Sequence, residues 1–145
     1  MLGSAFVTQS QRDDFAKQII SLLEHGSLSI VHCPWGHELV IETDAFLLKL
    51  IDVDDGQQTS LQRHDIKDEV QYVVGGEGGV FIKHDDGFAE MIHLGEHVRV
   101  RPGTVHRTIG PVTLIEVTTL HDDDIIRLED DYGRANIGER GLIND

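Results

Sequence analysis

Between His37 and Leu120 the chain runs in short bursts rich in β-branched and apolar residues: HELVIET, AFLLKLIDV, QTSLQRH, EVQYVV, GVFIKH, FAEMIHL, HVRVR, TVHRTI and VTLIEVTTL. Polar or glycine-rich pieces such as DDGQ, DIKD, GGEG, DDG, RPG and GP separate them. Short strands joined by such turns predict an all-β sandwich or barrel. The one long helical pattern is at residues 10–25, SQRDDFAKQIISLLEH, where Phe15, Ile19, Leu22 and Leu23 form an apolar stripe. Ser10 can cap this helix, Asp13 and Asp14 suit its first turn, and Gly26 is a natural stop. The expected organisation is a single domain over residues 1–145, with a helix at about 10–25, a barrel at about 37–120 and an acidic tail at 121–145. In that tail, HDDDIIRLEDDYGR is expected to make one helical turn that packs back on the barrel.

A chain of 145 residues can bury a core without disulfides or structural zinc. Cys33 is the lone cysteine, so no intramolecular disulfide forms and nothing argues for secretion. The N-terminal MLGSAFVTQSQRDD lacks the basic region and apolar core of a signal peptide. No apolar run approaches the ~20 residues that span a bilayer. A cytoplasmic protein is the expectation. Twelve Lys and Arg face 26 Asp and Glu, a net charge of −14. That charge repels nucleic acid and anionic membranes, so neither is expected as a partner. It also means that an anionic substrate needs a local cation.

The stretch SLQRHDIKDEVQYVVGGEG, residues 60–78, carries the candidate chemistry. Gln62 and His64 are two apart and share a face of a strand. DIKD then turns, and a hairpin would bring Glu69 opposite the Gln62/His64 pair. A fourth group comes from RPGTVHRTI, where His106 follows a Pro-Gly turn. Two imidazoles, a carboxylate and an amide oxygen make a mixed hard and borderline set that suits zinc, manganese, iron, cobalt or nickel. A carboxylate facing into a barrel needs a positive partner, which favours Glu69 as a ligand. Gln62 either ligates or only hydrogen-bonds to a water on the ion. Arg63 and Arg107 are out of phase with the ligands, and Arg99 and Arg101 point off the apolar face of their strand. Lys49 interrupts the apolar strand AFLLKLI, so it either reaches a phosphate inside the barrel or snorkels to solvent.

The spacing Gly56, Gln62-x-His64, Glu69, Gly76 resembles the first cupin motif, and Gly103-x-x-His106 resembles the core of the second. The resemblance implies a double-stranded β-helix, a jelly-roll barrel with metal ligands inside. PWGHELVIET, SLQRH, EVQYVVGGEG, RPGTVHRTIG and IEVTTLHDDDIIRLEDDYGR narrow it to the isomerase domain of type II mannose-6-phosphate isomerases, over roughly residues 32–134. In those proteins the domain commonly follows a mannose-1-phosphate guanylyltransferase domain, for which 145 residues leave no room. The Gln-x-His pair is also similar to the metal site of the zinc-dependent type I isomerases, which puts zinc first among the metals. Lys49 matches a lysine in the family's corresponding strand, where it would meet the substrate. The family's His-rich turn is DIKD here, Arg101 stands where its proline is expected, and Gly110 replaces its asparagine.

The resemblance implies a metal-dependent aldose–ketose isomerase acting on a sugar phosphate such as mannose 6-phosphate; Glu90 and His93 are offered for the base that moves the proton, without a spacing argument. The alternative is a non-catalytic, metal-containing cupin that binds a sugar or sugar nucleotide. An iron-dependent cupin oxygenase is a third class, unsupported by the C-terminal signature. A homodimer is expected, because small cupins associate through their sheets and the helix carries an apolar stripe.

Overall fold

The computed structural model of the chain describes residues 8–25 and 28–135. Its helix, α1, spans Gln9–Glu24. The cap is Thr8 rather than Ser10. The Gln11 N–H donates to Thr8 Oγ1 at 3.2 Å, and the Thr8 N–H donates to Gln11 Oε1 at 2.8 Å. This reciprocal pair starts the helix early, which moves Asp13 and Asp14 beyond its first turn. The side chains of the stripe Phe15, Ile19, Leu22 and Leu23, and the stop at Gly26, lie outside the described residues. No described helix is long and apolar enough to cross a membrane.

Among the described residues eleven strands follow: β1 Ser29–Cys33, β2 Gly36–Glu42, β3 Leu47–Val53, β4 Leu61–Arg63, β5 Glu69–Gly76, β6 Gly79–Lys83, β7 Ala89–Ile92, β8 His97–Val100, β9 Val105–Ile109, β10 Val112–Thr118 and β11 Ile126–Glu129. They form two antiparallel sheets, ordered β1-β2-β3-β10-β5-β8 and β11-β4-β9-β6-β7. All nine expected runs contain strands, but the barrel extends further at both ends, from Ser29 to Glu129. The tail does not make the expected helical turn. Ile126–Glu129 is a strand, and it pairs Arg127 with Gln62 along the edge of β4. An uncovered β4 would present a row of unpaired backbone groups, and the tail removes that edge.

Side-chain alternation divides the barrel interior into layers. Ile51 on β3, Leu114 on β10 and Val73 on β5 lie side by side and are buried. With Trp35, Val53, Val80, Ile82, Ile92, Val100 and Val112 they form the apolar core. One step along, the same three strands place Lys49, Glu116 and Gln71 side by side, also buried. Thr118 and Glu69 are opposite each other at the next step. The barrel is therefore apolar at one end and polar at the other, and the polar end holds the chemistry. Gly110 has a packing reason: a Cβ there would lie 2.0 Å from the Asp54 carbonyl oxygen, so no asparagine fits.

Candidate metal centre

His64 follows β4, Glu69 opens β5, and His106 is on β9. The expected β4–β5 hairpin does not form, because β4 and β5 belong to different sheets. The turn between them carries the chain across the barrel, so Glu69 meets the histidines from the opposite wall. Glu69 Oε1 is 3.4 Å from His64 Nε2 and 3.1 Å from His106 Nε2. One potential ligand atom from each residue falls within a 4.8 Å cluster, and all three side chains are buried.

Both rings are held from behind. His64 Nδ1 is 2.5 Å from the Asp124 carbonyl oxygen, and His106 Nδ1 is 3.0 Å from that of Thr104. A carbonyl can only accept, so each Nδ1 carries a proton and donates it. In the neutral rings each Nε2 then turns a lone pair toward Glu69. His64 Nε2 and His106 Nε2 have no hydrogen-bond partner. Burial works to raise the Glu69 pKa. The close imidazoles of His106 and His64 and the charge of Lys67 outweigh it and hold the carboxyl well below its usual range. A hydrogen bond from either ring to Glu69 would need a proton on Nε2, the atom that a metal would take instead. Two Nε2 lone pairs and a carboxylate in a buried cluster fit a divalent cation.

Gln62 is directly across from His106 in register. Its Oε1 accepts the Ser60 hydroxyl at 2.7 Å, and the side chain lines a cavity of about 190 Å³. Trp35, Lys49, Lys67, Glu116 and Arg127 also line that cavity. Lys49 does not snorkel to solvent. It is buried, with Nζ 3.2 Å from Glu38 Oε2 and 2.6 Å from Asp122 Oδ1. Arg99 forms a surface pair with Asp68, and Arg107 reaches toward Glu129, both away from the triad. Glu90 is paired with His84 at 2.9 Å, and His93 is exposed, so neither joins the centre.

Three buried polar residues were missed from sequence. Lys67 Nζ is 3.1 Å from Glu69 Oε2 and 3.5 Å from Glu116 Oε1. Gln71 donates to Glu69 Oε1 at 3.2 Å and to Glu116 Oε2 at 3.1 Å. Burial, and then the negative charge of Glu69, push the Glu116 carboxyl up to about 8. A carboxyl with that value, lining the cavity, can give and take a proton near neutral pH.

A family model described as mannose-6-phosphate isomerase C-terminal matches residues 23–130. The chain belongs to that family. It is 32% identical over 120 residues to a mannose-1-phosphate guanylyltransferase of Escherichia coli K12, covering 77% of this chain and 24% of that protein. It is 32% identical over 142 residues to the alginate biosynthesis protein AlgA of Pseudomonas fluorescens, covering 87% of this chain and 28% of that protein. The chain thus spans about a quarter of the length of these relatives. Among solved structures, the mannose 6-phosphate isomerase of Bacillus subtilis superposes with a TM-score of 0.53 at 20% identity, covering 63% of this chain and 39% of that one. At that identity the likeness establishes the fold, a cupin double-stranded β-helix.

Proposed function

We propose that the protein is a metal-dependent aldose–ketose isomerase of sugar phosphates, with mannose 6-phosphate and fructose 6-phosphate as the pair to test first. The observation that carries this reading is the triad His64, Glu69 and His106, buried beside a polar cavity, with both Nε2 atoms turned toward Glu69 Oε1 and without a hydrogen-bond partner. Membership of the family supports the substrate class. These three residues would hold the ion, with Gln62 beside them, and zinc is the first candidate. A divalent cation supplies a Lewis acid for a sugar carbonyl. The chain's own part is to fix that acid in place. Backbone carbonyls orient both imidazoles, while Lys67 and Gln71 hold the Glu69 carboxylate. Lys49 stands at the cavity wall as the candidate for the phosphate.

The test supplies mannose 6-phosphate to the zinc-loaded protein and follows fructose 6-phosphate. Turnover should appear and should vanish on chelation. A specific observation favours a second reading, a non-catalytic sugar-binding cupin: Lys49 and Lys67 already have carboxylate partners, which a phosphate would have to displace. Retained metal and measurable sugar binding with no turnover of any hexose phosphate would select it.

We also propose a homodimer. The outer face of the first sheet carries two apolar rows, Leu50–Ile115–Tyr72 and Leu48–Val117–Val70, whose members are 38–45% exposed. A contiguous apolar face of this kind marks an interaction surface. Light scattering at micromolar concentration should give twice the chain mass. A monomer mass would refute the dimer.

A further inference from the structure

We infer that residues 119–124 form a strap that holds the metal-binding turn in shape, and that Asp124 is its positioning residue. The inference rests on the metal reading above. The turn at residues 64–68 joins two ligands on opposite walls of the barrel, so its conformation sets the distance between them. Asp124, about 60 residues away in sequence, grips it at four points. Its Oδ1 accepts the Asp65 N–H at 3.1 Å. Its Oδ2 accepts the N–H groups of Ile66 at 2.7 Å and Lys67 at 2.8 Å. Its backbone oxygen accepts the His64 Nδ1 proton at 2.5 Å. Thr119 completes the strap: its Oγ1 accepts the Asp68 N–H at 3.2 Å, and its own N–H donates to the Asp68 carbonyl at 3.1 Å.

The consequence is specific to the site. Three N–H groups that converge on one carboxylate define the turn, and their residue also sets which nitrogen of His64 carries the proton. Outer partners of this kind orient metal-ligating histidines, and their loss typically lowers metal affinity by about 10–100-fold. A merely structural contact would lower stability without changing the affinity of the molecules that remain folded.

The experiment measures zinc affinity by chelator competition on folded wild type, Asp124→Ala, Asp124→Asn and Asp123→Ala. Asp123→Ala removes the same charge from the adjacent position. Imidazole nitrogen shifts and amide exchange of residues 65–67 are followed by NMR in the metal-free proteins. Asp124→Ala should bind zinc about 10–100-fold more weakly, with faster exchange at 65–67 and loss of the Nδ1-protonated preference of His64. Asp124→Asn, which keeps one acceptor oxygen, should fall between, and Asp123→Ala should match wild type. Should Asp124→Ala fail to fold, Asp124→Asn carries the test with a several-fold loss. Wild-type zinc affinity in a folded Asp124 variant overturns the strap alone. Absence of zinc binding in wild type overturns the metal reading and the strap with it.

Discussion

Replacing His64 and His106 together with alanine should leave the folded protein without bound metal. Structural zinc sites in small peptides bind with about 10–16 kcal/mol from four ligands. If two histidines supply about half of that, their loss lowers affinity more than about a thousandfold. Elemental analysis after dialysis should find about one divalent metal per wild-type chain and background levels in the variant. Circular dichroism checks that the variant remains folded. Full metal content in a folded double variant would remove the proposed centre. Acidification should release metal from the wild type, because Nε2 must be free of its proton to ligate.

The triad was legible because two short motifs, Gln62-x-His64 with Glu69 and Gly103-x-x-His106, each carry their own turn. Alternation identified the strands that hold them. It did not assign strands to sheets, which is why β4 and β5 were read as a hairpin. The short apolar run at Ile125–Leu128 lies among acidic residues, so its preference is weak. Only the open edge of β4 makes a strand of it. Lys67 was hidden for a related reason: DIKD has the composition of a solvent turn, yet the crossing between sheets carries its lysine into the barrel. A signal was present nonetheless. Gln71 shares the phase of Glu69, and Glu116 shares that of Val112 and Leu114. Two inward carboxylates call for an inward cation. Lys49, inward on β3, was one candidate, but Lys67 is the one that reaches Glu69.

Lys67→Met should then be among the most destabilising single changes in the chain. Removing one partner from a buried ion pair costs about 3–5 kcal/mol, because the other charge remains buried without compensation. That is a large part of the ~5–15 kcal/mol by which domains are stable. The pH dependence follows from the signs. Burial works to lower the Lys67 pKa, but Glu116 and Glu69 outweigh it and raise it above the ordinary lysine value. Its contribution is therefore complete below about pH 10.5 and lost only above that. Glu69 is shifted down, so its contribution is present above about pH 4.5 and lost as acid protonates it. Glu116 is shifted up to about 8, so stability falls as pH rises from about 4.5 toward 8. Without Lys67 the Glu116 fall extends to higher pH and the Glu69 contribution shrinks. The deficit of Lys67→Met should be greatest at pH 8–9 and smallest below pH 5. Urea unfolding of the metal-free proteins across this range measures it, and equal stability at pH 7 would refute the assigned role. Adding Glu116→Gln to Lys67→Met should recover part of the loss, because a neutral amide replaces the carboxylate that had lost its cation.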